Sequence, residues 1–243
     1  MSMRVKLLSF TPNPDSVVYA AARCCYDDVD MTDESYSLEN FNQKDISKLV
    51  NHLYLSGHTS TFEHVSFTFA VNGISRVCSH QLVRHRIGVS YSQQSQRYIK
   101  MNTNKNMEDV VVPPSIKNKQ SAYDLYRASV DTATSIYHSL ISMGIPKEDA
   151  RYVLPHGWNT QLSITMNARS LLHFFNIRLC KRSQWEIREL ARRMYQEVRY
   201  VAPLLFNFVG PSCIVEGKCK EVKSCGQPYK DMSDFDNTFI ILD

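Results

Sequence analysis

Glycine is scarce, with eight residues in 243, and none of them sits in a run that would let backbone N–H groups wrap a phosphate. The patterns G-x-G-x-x-G, G-x-x-x-x-G-K-[S/T] and H-E-x-x-H are all missing. That excludes the familiar nucleotide loops and the helical zinc-protease site, so any phosphate-bearing ligand must be held by side chains. No C-x-x-C occurs either, and no histidine lies near Cys213, Cys219 and Cys225, which recur at six-residue intervals. The expectation is therefore that no metal binds there and that these three cysteines are dispensable. Seven cysteines in all, an odd number with no secretory signal, read as thiols rather than a disulfide framework. Cys24 and Cys25, within an amphipathic pattern, are expected to act as small core residues. No apolar run reaches the ~20 residues that cross a bilayer. The opening MSMRVKLLSF lacks a signal-peptide core, so the expected compartment is the cytoplasm, with no membrane partner.

The most informative shortage is of acids. Between Glu63 and Glu108 there is no Asp or Glu, while Arg76, Arg84, Arg86, Arg97, Lys100 and Lys105 all fall there, with His64, His80 and His85. The centre of the stretch, RHRIGVSYSQQSQRY from Arg84 to Tyr98, packs arginine among serine, tyrosine and glutamine. Cations without local partners find them in water, on distant acids or on an anion. A lone arginine is usually a solvated one. A cluster surrounded by hydroxyls and amides is better suited to a phosphate, because the guanidinium fork makes paired charge-assisted hydrogen bonds. The overall formal charge of +4 is mild. Such local excess suits a small anion better than a long polyanion, so no nucleic-acid partner is expected. The rival reading is a basic RNA- or DNA-binding module using Arg84–Tyr98, whose binding would fall steeply with salt.

Periodicity places these residues on a mixed α and β scaffold. A helix is expected after an N-cap signal at Pro14–Asp15, with Val17, Val18, Ala21, Ala22 and Cys25 on one face. A second carries Ile46, Leu49, Val50 and Leu53 and stops near Gly57. VSFTFAV alternates as a strand with Val65, Phe67, Phe69 and Val71 on one side. Ile74, Val77, Cys78 and Leu82 restore the helical period. A long helix over about 121–143 buries Tyr126, Val130, Ala133, Tyr137 and Leu140, and Pro146 opens a short one ending before Arg151. QLSITM is a second strand, Asn167 caps ARSLLHFFNIRL, and a Ser183/Glu186 capping box opens the last long helix. That helix buries Ile187, Leu190, Ala191, Met194, Val198 and Val201. The expected fold class is α+β, a single mixed domain over 1–210 whose antiparallel or mixed sheet is flanked by long helices. An irregular cysteine-containing tail would follow over 211–243, and loops are expected at 103–120 and after 206.

Two further constellations bear on chemistry. In NARSLLHFFNIR, Arg169, His173 and Asn176 share a face at i, i+4 and i+7, with Arg178 at the helix end. A cation there is also favoured structurally by the helix dipole. Glu63 and His64 are adjacent and form a candidate acid–base pair, though cap and packing roles suit them equally.

RHR at 84–86 and SQRY at 95–98 resemble the signature of the flavin-dependent thymidylate synthases. AARCCY at 21–26, GHTSTFEH at 57–64, ARYVLP at 150–155, MNARSLLHF…R at 166–178 and QWEI at 184–187 are similar to family blocks and stand in family order. Eight residues rather than seven separate Arg86 from Ser95, with the extra one falling in 87–89; Cys25 replaces a small hydroxyl residue, and Arg182 stands where a histidine can occur.

The resemblance implies methylation of dUMP to dTMP, with methylenetetrahydrofolate as carbon donor and FAD, reduced by NADPH, as hydride source. It implies that no cysteine attacks the pyrimidine, and that a homotetramer shares its sites between subunits. By the same carry-over, dUMP would be bound by Gln81, Leu82, Val83, Arg84, Gln93, Gln94, Ser95, Gln96, Arg97, Arg151 and Arg178. Arg178 would be catalytic, acting on the base. FAD would be bound by Ser60, Arg84, His85, Arg86, Gln93, Asn167, Ala168, Arg169 and His173.

Overall fold

Alternation of Phe67, Phe69 and Val71 with polar neighbours makes one face of β2 (Ser66–Ser75) fully buried. The same logic gives β4 (Asn159–Asn167), which buries Leu162, Ile164 and Met166. With β1 (Arg4–Phe10) and β3 (Val89–Gln93) they form a four-stranded sheet in the order β1-β2-β4-β3. Flanking hydrogen bonds fix the direction of β4 against both neighbours. Ala168 N donates to Val65 O and Arg76 N to Trp158 O, while Gln94 N donates to Gln161 O and Asn167 N to Gly88 O. Both pairings are antiparallel. The computed structural model describes residues 3–33, 35–99, 106–207 and 209–237. Lys100 and Lys105, and the start of the expected loop at 103–120, lie outside them.

Contacts divide the chain into two compact units. The first comprises 1–4, 71–84 and 91–163. It contains α3 (Arg76–Leu82), α4 (Pro114–Lys117), α5 (Gln120–Ser142) and α6 (Lys147–Ala150). Its core gathers Val110, Val130, Tyr137, Ala150, Leu154 and Trp158, with Tyr126 and Leu140 packed partly buried against them. Expected Ala133 is replaced in that core by Thr134. Ile74 belongs to β2 rather than to the following helix, and Val77 is exposed.

The second unit comprises 5–70, 85–90 and 164–243. It holds α1 (Pro14–Arg23), α2 (Gln43–Leu55), α7 (Ala168–Arg178), α8 (Trp185–Val201) and two short helices, α9 (Ser212–Val215) and α10 (Met232–Asn237). Three local expectations are corrected here. The N-cap of α1 is Asn13 in the left-handed region, φ 47°. Asp15 instead turns inward, where its carboxylate accepts from the N–H groups of Leu204 and Leu205. Cys24 and Cys25 lie past the end of α1 and are exposed, not core, because the apolar face closes on Val18, Ala20 and Ala22. Gln184, not Ser183, caps α8, its side-chain oxygen accepting from Glu186 N and Ile187 N; the Ser183 hydroxyl donates to Ile177 O.

Aromatic rings run through this unit in contact. Phe67 meets Phe206 at 5.4 Å between centroids, Phe206 meets Phe175 at 5.8 Å, and Phe175 meets Tyr195 at 5.7 Å. Tyr195 then meets Phe235 at 6.2 Å and Phe235 meets Tyr229 at 5.2 Å. The Lys181 ammonium closes the series 4.2 Å above the Tyr229 ring. The stretch expected as a tail thus carries two helices and contributes Tyr229 and Phe235 to buried structure.

Candidate active site

In the first unit, the acid-free stretch supplies a cluster of guanidiniums. Ser75 caps α3, accepting from Cys78 N, and so sets Arg76 at the helix start. Arg76 Nη2 donates to Gln94 O at 2.8 Å, and Gln93 Nε2 reaches Thr160 Oγ1 at 3.3 Å. After β3 the chain turns through Gln94, Ser95 and Gln96, all half-buried, with Ser95 Oγ accepting from Arg97 N. The Arg97 side chain pairs with Glu148 at 2.7 Å, and Arg151 Nε donates to the Glu148 carbonyl at 2.9 Å. Burial first, and then the Arg151 charge, push the Arg76 guanidinium below its ordinary range. The short helix α6 thereby delivers Arg151 and Glu148 to the same cluster as Arg76 and Arg97.

Gln81 is half-buried on α3, and Val83 and Arg84 just beyond it are exposed. Arg84 makes no ion pair among the described residues. Leu82 has a fully buried side chain whose carbonyl accepts from the Tyr91 hydroxyl, and burial pushes that hydroxyl up. Leu82 therefore presents no side chain to a ligand.

In the second unit, α7 organises the other half of the expected residues. Asn167 Oδ1 accepts from Ser170 N, as the sequence led one to expect of a cap. Ser170 Oγ donates to Ile87 O at 2.6 Å and Asn167 N to Gly88 O at 3.0 Å, which ties the segment after the RHR motif to the start of α7. Gly88 takes φ +64°, and a Cβ there would fall inside 3.0 Å of the Asn167 and Ser170 side chains. A glycine adopts that conformation without the strain a side chain would bring.

His85 lies against α7. Its Nε2 accepts from Arg178 Nε at 3.0 Å, and its ring stands edge-on to Phe174 at 5.0 Å and 6.1 Å from His173. Burial, the Arg178 charge and His173 lower its pKa to about 4, so the imidazole is neutral near pH 7. At this contact a neutral acceptor orients the Arg178 guanidinium without bringing a charge of its own.

Arg169 pairs with Glu63 at 2.5 Å, which gives Glu63 a partner other than His64. The 3-10 turn Thr59–His64 that carries Glu63 packs on α7 and also presents Ser60, which is exposed. Arg86 is exposed and makes no ion pair among the described residues, and His173 is exposed on α7. Ala168 is fully buried and its N–H is taken by Val65 O, so it offers no side chain. Asn176 is half-buried and accepts from Gly210 N, a structural use.

The residues assigned to dUMP therefore divide. Gln81–Arg84, Gln93–Arg97 and Arg151 belong to the first unit, while Arg178 belongs to the second with His85, Arg86, Asn167, Arg169, His173 and Ser60. Sequence reasoning named Arg76 only as one cation among several. Its special position shows only when strand β3 and helix α6 bring Gln94 and Arg151 to it, contacts 18 and 75 residues away in the chain.

None of the seven cysteines forms a disulfide. Cys180, Cys213, Cys219 and Cys225 line one small pocket, and burial pushes the Cys180 thiol up. Among the described residues, no group of His, Cys, Asp and Glu is arranged to hold a metal ion. No helix among them is long and apolar enough to cross a membrane.

Residues 6–204 match the family model described as Thymidylate synthase complementing protein. The chain is 43% identical to the flavin-dependent thymidylate synthase of Clostridium tetani, with 93% of this chain and 94% of that protein covered. It is 42% identical to the enzyme of the same name in Geobacter sulfurreducens, with the same coverage. Against that of Pyrococcus abyssi it is 40% identical over 90% of each. Its fold is similar to the crystal structure of the UMP/dUMP methylase PolB of Streptomyces cacaoi bound with 5-Br dUMP. That likeness has a TM-score of 0.68 and 23% identity, over 85% of this chain and 93% of that one. Matched along nearly its whole length by the same kind of enzyme, and carrying the arginine and histidine blocks at the positions built above, the chain belongs to the family of flavin-dependent thymidylate synthases.

Proposed function

We propose that this protein methylates dUMP to dTMP, taking the one-carbon unit from methylenetetrahydrofolate and a hydride that originates on NADPH. The observation that carries the reading is the Arg178–His85 contact: a guanidinium aimed by a neutral imidazole, at the end of the helix whose other face carries Arg169 and His173. An arginine remains charged in a protein, so Arg178 does not hand over a proton. It stabilises negative charge as it develops on the pyrimidine, which makes the ring carbon C5 a better nucleophile. Arg97 and Arg151, joined through Glu148, bind and orient the phosphate, with Ser95 and the glutamines at 93, 94 and 96 around it. The first unit holds a single cysteine, Cys78, fully buried in α3, which suits a mechanism with no enzymic thiol nucleophile.

The donor set of the second unit fits FAD. The Arg86 and Arg169 guanidiniums, the Ser60 hydroxyl and the His173 ring are solvent-accessible hydrogen-bonding groups of the kind that a pyrophosphate and a ribityl chain need. They would hold the cofactor, which when bound relays the hydride. His85 and the Gly88 turn would position the segment between them. The chain has no phosphate-cradling loop, and a homotetramer that pools these side chains from several copies supplies the same contacts by assembly.

The test is dTMP formation from dUMP by the purified full chain, with FAD, NADPH and methylenetetrahydrofolate each present or omitted. Product only with the complete mixture is the expected result, together with a yellow protein sedimenting as a tetramer. A colourless protein that forms no dTMP in the complete mixture refutes the reading.

A further inference from the structure

Arg76 is locked in place at both ends. Its N–H donates to Trp158 O at 3.1 Å and that of the next residue, Val77, to His156 O at 3.2 Å, while its Nη2 donates to Gln94 O at 2.8 Å. Its Nε is nevertheless buried with no hydrogen-bond partner. The charged neighbour it feels is not an acid but another cation, Arg151. The nearby carboxylate, Glu148, is engaged by Arg97, and Arg151 takes only the Glu148 carbonyl. The Arg97–Glu148 pair is exposed, whereas the half-buried Arg76 and Arg151 make no ion pair among the described residues and together carry two positive charges that they cannot discharge by losing a proton. Like charges held together beside an unsatisfied buried donor are costly unless something anionic completes the arrangement. The excess matches the roughly two negative charges of a phosphate monoester near neutral pH. If Arg76 served only to hold Gln94, one N–H would do that; the rest of its planar fork remains available.

We propose that Arg76 is a phosphate-binding residue of the substrate site, its free guanidinium edge joining Arg151 on the phosphate monoester of the nucleotide. The inference rests on the proposed function for the identity of that nucleotide, but not for the anion. A phosphate seated there relieves the repulsion between Arg76 and Arg151, offsets the cost of the buried Nε by placing negative charge beside the guanidinium, and fixes the Gln94–Arg97 turn through the bond to Gln94 O.

The experiment is calorimetric titration of the full-length protein with dUMP and with deoxyuridine, for the natural sequence, Arg76→Met and Arg76→Lys. Arg76→Met is expected to weaken dUMP binding about 10- to 150-fold, the loss typical of a charge-assisted hydrogen bond, and to leave deoxyuridine within about twofold. Unchanged dUMP affinity overturns the proposal, and so does an equal loss for both ligands, which is what a merely structural role at Gln94 produces. Should Arg76→Met fail to fold by circular dichroism, Arg76→Lys decides. It keeps a charge and loses the fork, so a loss confined to dUMP supports the proposal and a loss shared with deoxyuridine refutes it. If the natural protein ignores dUMP, the functional reading fails by itself. The anion site is then read by thermal shift with inorganic phosphate against chloride at equal ionic strength. A phosphate-specific rise that disappears in the Arg76 variants sustains the site, and no such rise removes it.

Discussion

His85 should be neutral at every pH from 5 upward, and this can be measured directly. Its ring is half-buried against Phe174 and accepts a hydrogen bond from Arg178 through Nε2, which leaves the proton on Nδ1. Burial and the adjacent guanidinium together lower its pKa from 6.5 to about 4. At pH 7 only about one ring in a thousand is protonated, against roughly one in four for an unperturbed histidine. The shift also has a stability consequence with a definite sign. Because the folded pKa lies below the unfolded one, the unfolded chain binds the proton first as pH falls. Stability is therefore lost between pH 6.5 and about 4, and this group removes no more below that window. The full shift of 6.5 − 4, at about 1.36 kcal/mol per unit, bounds the loss at ~3 kcal/mol. Partial exposure and solvent screening reduce that to about 1–2 kcal/mol. The assay is an NMR titration of the imidazole nitrogens, paired with urea unfolding from pH 7.5 to 4 for the natural protein and for His85→Gln. The variant should lose stability less steeply across the window. A midpoint of 6 or higher, or a proton resting on Nε2, would refute the account of Arg178 as a cation aimed by a neutral acceptor.

The other expectations are briefer. Gly88→Ala forces a side chain into the left-handed region and into the Asn167 and Ser170 side chains, so it should destabilise the protein by about 1–3 kcal/mol in chemical denaturation, with loss of flavin; a variant as stable as the parent contradicts the tight turn. Arg178→Ala should abolish dTMP formation while flavin content and thermal midpoint stay close to the parent; near-normal turnover removes Arg178 from the chemistry. Replacing Cys213, Cys219 and Cys225 together by serine should leave turnover intact, and stoichiometric zinc in the natural protein by metal analysis would overturn the reading of these residues as plain thiols.

Much of the scaffold was legible because its signals are local. The alternation through Phe67, Phe69 and Val71, the stripe of Ile187, Leu190, Ala191, Met194 and Val198, and the Asn167 cap all depend on neighbours within one or two turns. The errors came where a competing local contact or a remote one won. Ser183 had the right chemistry for a cap, yet Gln184 reaches the same N–H groups and Ser183 bonds backward to Ile177. Asp15 looked like a cap residue and instead binds two amides 189 and 190 positions away. Cys24 and Cys25 fit a helical stripe that ends before reaching them. At the site, the resemblance offered candidate residues, but nothing in the sequence spoke of their states. Neither the neutrality of His85 nor the crowding of Arg76 by Arg151 can be read from spacing, since both follow from burial and from charges far away in the chain.

The file of rings from Phe67 to Tyr229 sets a limit on shortening the protein from its C-terminal side. Cutting before residue 229 strips Phe235, with Tyr229 against it, off Tyr195, and leaves the Lys181 ammonium without the π-face beneath it. Trimmed versions of this chain would bare the Tyr195 ring on α8, and self-association rather than any catalytic defect would be their first symptom.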